Sequence, residues 1–179
     1  MGMKLKYLAA IWGLAEATVF FIVPDLPLTF VALKDGKRAT KLCLWALGGA
    51  LVGGAIMFWW GSSNPDSAEN FLAEIPAIGS ELLEEVEKQV EEGGALASIA
   101  GPIAGRPYKI YAVYAGATGV NFFIFLLISV PARLLRFLVL AWLTTAISKG
   151  LLRKQSSRFR TLLLTAIWVG FYGWYFSVA

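Results

Sequence analysis

Four basic residues lie in a stretch of sequence that is otherwise apolar enough for a bilayer core. They are Arg106, Lys109, Arg133 and Arg136, all within Gly101–Arg136. A charge at the centre of a membrane helix costs about 2.5–3.5 kcal/mol on insertion scales, so such residues usually have a function. Guanidinium groups match phosphate oxygens bidentately, and Arg133 and Arg136 would share one helix face. The stretch predicts a site for a phosphate group, with Arg106 and Lys109 as further donors.

Two acidic residues, Glu16 and Asp25, stand in a second apolar segment near the N-terminus. We predict that they are proton carriers, because a carboxylate and a bound phosphate would compete for the same arginines. Protonation would then be coupled to release of the phosphate. The alternative is that the arginines pair with these acids only to lock the two segments together, and the two roles could apply at different stages.

Helix-breaking residues interrupt both charged segments. Pro24 and Pro27 flank Asp25 in the first, and Pro107 precedes Tyr108 in the second. Neither proline sequence favours a straight helix. Unwound backbone at membrane depth is tolerated where it lines a cavity. We therefore predict hairpin tips at Pro24 and Pro27 and at Pro107 and Tyr108.

Composition indicates an integral membrane protein with a single domain. Of the 179 residues 58% are hydrophobic, and the mean hydropathy is +0.65. Soluble domains are roughly 45–50% apolar. The net charge of +4 does not indicate nucleic-acid binding, because the basic clusters flank the apolar segments and are better explained as topology signals. We expect membrane lipids as partners and no nucleic acid.

The residue types and motifs argue against an enzyme. The chain has no histidine, which removes the usual zinc ligand and the usual general base. It also lacks HExxH, GxSxG, P-loop and dinucleotide-binding motifs. Its single cysteine, Cys43, excludes a disulfide within the chain. We expect no catalytic residues, no metal and no cofactor.

The pattern of apolar residues predicts an all-α fold of six segments. In chain order they are a re-entrant hairpin at 7–33, a transmembrane helix at 38–60, a pair of amphipathic acidic helices at 67–92, a second re-entrant hairpin at 95–118, and transmembrane helices at 121–147 and 159–178. A single kinked span is the alternative for 7–33. The hairpin is favoured because lysines both precede and follow this segment, which places both of its ends in the cytoplasm.

Charge placement also predicts the topology. The basic loop at 149–160 is expected in the cytoplasm, so 121–147 would run inward and 95–118 would begin and end outside. The two hairpins then enter from opposite sides and form an inverted repeat. The N-terminus is cytoplasmic in this arrangement, and the acidic segment 61–94 and the C-terminus are extracytoplasmic. A prokaryotic plasma (inner) membrane is the expected location.

Two features leave alternatives open. The acidic helices are either a solvated connector, which is favoured, or a lid over the cavity between the hairpins. Gly49 and Gly53 form a GxxxG motif, which lets a second helix approach closely. Packing inside one copy of the chain is favoured, and a homo-oligomer is the alternative.

Several short motifs recur in an order that is similar to a known family. They are Glu16-Ala17-Thr18, Pro24-Asp25-Leu26-Pro27, Arg106-Pro107-Tyr108-Lys109, Ala115-Gly116-Ala117, Asn121-Phe122 and Arg133-Leu134-Leu135-Arg136-Phe137. Together they resemble the DedA or VTT-domain membrane proteins over approximately residues 10–147. The resemblance implies two opposed re-entrant hairpins and lipid transport. Members of that family are linked to recycling of undecaprenyl phosphate in bacteria and to phospholipid scrambling in eukaryotes.

These observations lead to an expected function and two competitors. The leading hypothesis is a flippase or scramblase that moves a phosphate-bearing lipid, undecaprenyl (polyprenyl) phosphate or a phospholipid, with proton coupling as an added hypothesis. The second is a membrane structural or assembly factor without turnover. The third, an intramembrane lipid phosphatase, is disfavoured because no nucleophile or metal cluster is apparent in the sequence.

Overall fold

A computed structural model describes residues 3–103 and 105–178, and every regular element among them is a helix, which confirms the all-α prediction. The helices are α1 (Met3–Glu16), α2 (Asp25–Ala32), α3 (Gly36–Ser63), α4 (Pro65–Ala73), α5 (Ser80–Gly93), α6 (Ala97–Ile103), α7 (Tyr108–Ala117), α8 (Phe122–Lys149) and α9 (Ser157–Val178). A short 3-10 turn, Gly94–Leu96, joins α5 to α6.

Helices α3 and α8 are long and apolar enough to cross a membrane. Each has 28 residues, or about 42 Å at 1.5 Å per residue, against a hydrocarbon core of about 30 Å. They pack against each other, and α3 also contacts α1, α2 and α7. The chain is therefore built around α3, with the shorter helices arranged on it. The third predicted span falls on α9, which has 22 residues.

Glycines allow α1 to cross α3 at very short range. A Cβ atom added to Gly49 would lie 1.8 Å from the Ala10 carbonyl oxygen, and one added to Gly53 would lie 2.8 Å from the Leu14 carbonyl oxygen. Both glycines of the GxxxG motif therefore face α1. This confirms the favoured interpretation, that the motif packs inside one copy of the chain.

Replacing Gly49 by alanine should therefore destabilise the protein by about 1–3 kcal/mol, the usual cost of overpacking. Its neighbour Gly48 is the matched control, because a Cβ there meets nothing within 4 Å. Gly48→Ala should instead be neutral or stabilise by up to about 1 kcal/mol through helix propensity. Unfolding by SDS in mixed micelles measures both. Equal effects of the two substitutions would contradict the close approach of α1.

Helix α7 contacts the other end of α3 in the same way. A Cβ on Gly61 would lie 2.1 Å from the Val113 carbonyl oxygen, and one on Gly116 would lie 2.0 Å from the Phe58 carbonyl oxygen. Nearly every side chain of α7 is buried as a result. The helix that carries Lys109 thus packs on α3 as closely as α1 does.

The acidic segment forms two helices, α4 and α5, with an irregular connector between them. Their predicted apolar stripe rests on the rest of the protein, because Val86 and Val90 are buried in one cluster with residues of α7. Ile75 and Ile78, in the connector, are buried as well. The pair is therefore packed on the bundle along its length, and its connector reaches the site described next.

Candidate functional site

Two ion pairs join the first charged segment to α8. The Arg133 guanidinium pairs with the Glu16 carboxylate, and Arg136 Nη2 lies 2.7 Å from Asp25 Oδ2. The side chains of Arg133 and Asp25 are fully buried, whereas Arg136 keeps 20% of its side chain exposed. The sequence placed these two acids opposite these two arginines, and the structure brings them together in that way.

The Arg133 side chain is fully enclosed by the protein. Its guanidinium carbon lies 5.0 Å from the ring centroids of both Tyr108 and Phe137, a cation–π arrangement. The Tyr108 hydroxyl donates to Ser129 Oγ at 2.8 Å, which fixes that ring. Among the described residues, Nε and Nη1 of Arg133 have no hydrogen-bond partner. Arg133 is therefore an anchored cation whose main contact is Glu16.

Lys109 links α7 to the irregular segment that follows α1. Its Nζ donates to the Phe20 carbonyl oxygen at 2.7 Å, and the side chain is buried. That carbonyl belongs to residues 17–24, where the chain leaves the helical conformation. An ammonium group has three donors, so this bond leaves Lys109 able to bind a second acceptor. The contact brings the two broken segments of the sequence side by side.

A cavity of about 70 Å³ lies where these segments meet, large enough for a few water molecules. Its polar and charged walls include Glu16, Arg106, Lys109, Arg136 and Tyr172. Apolar walls come from the α4–α5 connector and from α9. Arg133 and Asp25 do not line this cavity, so of the four predicted phosphate-binding residues three face it and Arg133 lies behind it.

Arg106 has a partner that the sequence did not indicate. Its guanidinium pairs with Glu85 of α5, and its backbone N–H donates to the Gly101 carbonyl oxygen at 2.9 Å. Gly105, immediately before it, has φ of +84°, a conformation that favours glycine. Arg106 therefore connects the cavity to the acidic helices rather than to Glu16 or Asp25.

The prolines predicted at the hairpin tips lie at the starts of helices. Helix α2 begins at Asp25, so Pro24 is its N-cap and Pro27 lies in its first turn, where proline is tolerated. Residues 17–24, which include Pro24, are non-helical and join α1 to α2. In the second segment Pro107 is the N-cap of α7 and the Tyr108 ring is buried. Pro24 and Pro107 are thus the N-caps of α2 and α7, and Pro27 lies within α2.

Helix α9 contributes residues that sequence reasoning missed. Tyr172 and Tyr175 line the cavity, and the Tyr172 hydroxyl accepts a hydrogen bond from the Val23 backbone N–H at 2.9 Å. The spacing of three residues places both rings on one helix face. This spacing was the feature of the sequence that could have indicated their shared role. Tyr172 can still donate its hydroxyl proton to a ligand in the cavity.

The structure gives no indication of a metal centre in the part of the chain that it describes. No group of three or more Cys, Asp or Glu side chains within 3–103 and 105–178 could hold a metal ion. The charged groups at the cavity are instead mainly cations, a combination suited to an anion.

Comparisons with known proteins give one distant relative. The chain is 28% identical over 126 residues to an uncharacterized protein of Haemophilus influenzae. The match covers 70% of this chain and 65% of that relative, so this chain spans less than two thirds of its length. No protein-family model matches the chain, and no solved structure matches it.

Proposed function

We propose that the protein moves a phosphate-bearing lipid across the membrane, as a flippase or scramblase of the DedA or VTT-domain type. One observation carries the proposal: Arg106, Lys109 and Arg136 converge on a single cavity inside an apolar, all-helical chain. A phosphate group offers oxygen acceptors that match these donors. Undecaprenyl phosphate and phospholipids share this head-group chemistry, and both keep their chains in the bilayer.

The proposed topology has α1–α2 and α6–α7 as re-entrant hairpins that enter from opposite sides. It is supported by the similar way in which α1 and α7 pack on α3 and by the Lys109–Phe20 hydrogen bond between the two segments. The basic loop at 149–160 then lies in the cytoplasm with the N-terminus. The acidic helices and the C-terminus are on the other side.

In this mechanism a phosphate enters the cavity beside Arg136 and Lys109. Arg136 is an available cation, because part of its side chain is exposed and its one ion-pair partner among the described residues is Asp25. The phosphate replaces Asp25 as the partner of Arg136, and protonation of the displaced carboxylate keeps a buried negative charge from remaining unpaired. Re-formation of the Arg136–Asp25 pair then favours release.

Purified protein in liposomes tests this function against its two competitors. Movement of a fluorescent phosphate lipid between leaflets, faster than in protein-free liposomes, is the expected result. Release of inorganic phosphate would instead identify a phosphatase. Neither movement nor release would favour a structural or assembly role.

Removing the acids should separate proton coupling from transport. We expect Asp25→Asn to keep lipid movement but to flatten its dependence on pH, because the displaced side chain no longer needs a proton. Glu16→Gln should also flatten the pH dependence, since Glu16 lines the cavity beside Lys109, and it should lower stability as well because it leaves the buried Arg133 without its counter-ion. The measurement is the rate of lipid movement between about pH 5 and 8. An unchanged pH profile in both variants would rule out these acids as proton carriers.

Glu85→Gln should increase the affinity for the phosphate lipid by a few-fold. Glu85 and a phosphate compete for Arg106, so loss of the carboxylate leaves this cation free. The stability change should be under about 1 kcal/mol, because the pair is partly exposed and such pairs contribute little. Glu91→Gln, on the same helix and exposed, removes the same charge and is the control. An equal gain in both variants would indicate only a general charge effect.

A further inference from the structure

A groove of about 410 Å³ runs between α8 and α9. Its walls are almost entirely apolar, with leucines and Ile147 from α8 and with Leu163, Ile167 and Trp168 from α9. No described residue of α9 is buried, and this helix contacts the rest of the chain through half-buried side chains such as Trp168 and Tyr172, which leaves the groove open. An open apolar groove of this size lacks dispersion contacts along its wall, and within a bilayer a hydrocarbon chain is the group available to fill it.

An arginine stands at each end of the groove. Arg136, which also lines the polar cavity, is at one end, and Arg160 is at the other. From Arg136 to Ile147 the α8 axis rises about 16 Å at 1.5 Å per residue. This is close to half of the roughly 30 Å hydrocarbon core, the depth of one leaflet. The groove therefore has the length of a single lipid chain and a cation at each end.

Arg160 has donors left for an anion. Its Nη1 donates to Ser148 Oγ at 3.0 Å, which holds the side chain at the end of α8. Its Nε is buried and has no hydrogen-bond partner among the described residues. No carboxylate in the described part of the chain forms an ion pair with it, although pairs are found for Arg106, Arg133 and Arg136. Arg160 is thus a positioned cation beside an apolar groove.

We propose that Arg160 and this groove form a second lipid site, distinct from the polar cavity. It takes an anionic lipid of the leaflet in which the basic loop lies. The phosphate contacts Arg160, and one hydrocarbon chain lies in the groove with its end toward Arg136. The role of this site rests on the proposed function, since a lipid bound there lies at the entrance to the polar cavity. Binding itself does not depend on transport.

Photolabelling of the full-length protein in phosphatidylcholine liposomes tests this site. The probe is phosphatidic acid with a diazirine near the end of one acyl chain, and diacylglycerol with the same chain is the reference. Mass spectrometry should locate adducts on groove residues of α8 and α9, and the phosphate should raise their yield about tenfold. Arg160→Gln should remove this gain. Arg158→Gln removes the same charge from an exposed position and should change the yield less than about twofold.

A second variant is needed because Arg160→Gln could also detach α9 from α8, which would reduce labelling for a structural reason. Leu143→Trp narrows the groove without touching Arg160, and it should reduce labelling of the groove with both probes. Equal labelling by the two probes, or equal loss in Arg158→Gln and Arg160→Gln, would overturn the head-group site. Labelling outside the groove would overturn the proposal that the acyl chain lies in the groove. Groove labelling by a protein that moves no lipid would leave this inference standing while the proposed transport fails.

Discussion

Replacing Arg133 by methionine should lower the free energy of unfolding by about 3–5 kcal/mol, the usual cost of removing one partner of a buried ion pair. Arg133 has no exposed surface, and Glu16 is almost as deeply buried. The substitution leaves the largely buried Glu16 carboxylate without its counter-ion, which is costly. It also removes the cation between the Tyr108 and Phe137 rings.

The double variant Glu16→Gln with Arg133→Met separates the charge effect from the packing effect. It removes both charges of the Glu16–Arg133 pair, so we expect it to recover most of the lost stability. SDS-induced unfolding in mixed micelles measures both variants, and Arg158→Met serves as the exposed control. A loss below about 1 kcal/mol in Arg133→Met would mean that Glu16 is solvated or finds another partner. Lys109 is the cation available for that second role, because it lines the cavity with Glu16.

The pairing of acids with arginines could be predicted because a charged side chain in an apolar segment needs a counter-charge. Glu16 and Asp25 had no nearby cation in their own segment, so partners from elsewhere in the chain were required. The spacing of Arg133 and Arg136 on one helix face then identified α8 as the partner. This argument uses only burial and charge, which are readable from sequence.

Other features of the site depend on packing that spacing does not specify. The Arg106–Glu85 pair requires the connector after α4 to bring α5 over the cavity. In the sequence, Glu85 lies on a predicted solvated helix and Arg106 lies among helix-breaking residues. Many ion-pair partners were therefore possible for each of them. The groove beside α9 was also not predictable, because an apolar helix shows the same composition whether it packs tightly or stands apart. The start of α2 at Asp25 was also not predictable, because proline occurs in the first turn of a helix as readily as in a loop.

Arg136→Gln should slow movement of a phosphate lipid by about 10- to 100-fold, because a hydrogen bond to a charged group contributes roughly 1.5–3 kcal/mol. Arg136 is the one cation that lines both the polar cavity and the α8–α9 groove among those the structure describes. A lipid passing between the two sites therefore meets it in either position. Arg136→Lys keeps the charge but loses the planar fork, so an intermediate rate is expected.

The single variant alone does not separate binding from locking, because it also leaves Asp25 buried without a partner. The double variant Asp25→Asn with Arg136→Gln removes that unpaired charge. If Arg136 binds phosphate, the double variant folds as well as the wild type and still moves lipid slowly. If Arg136 only locks α2 to α8, relief of the buried charge restores the rate together with the stability. Stability in micelles and lipid movement in liposomes, measured on the same preparations, decide between these outcomes.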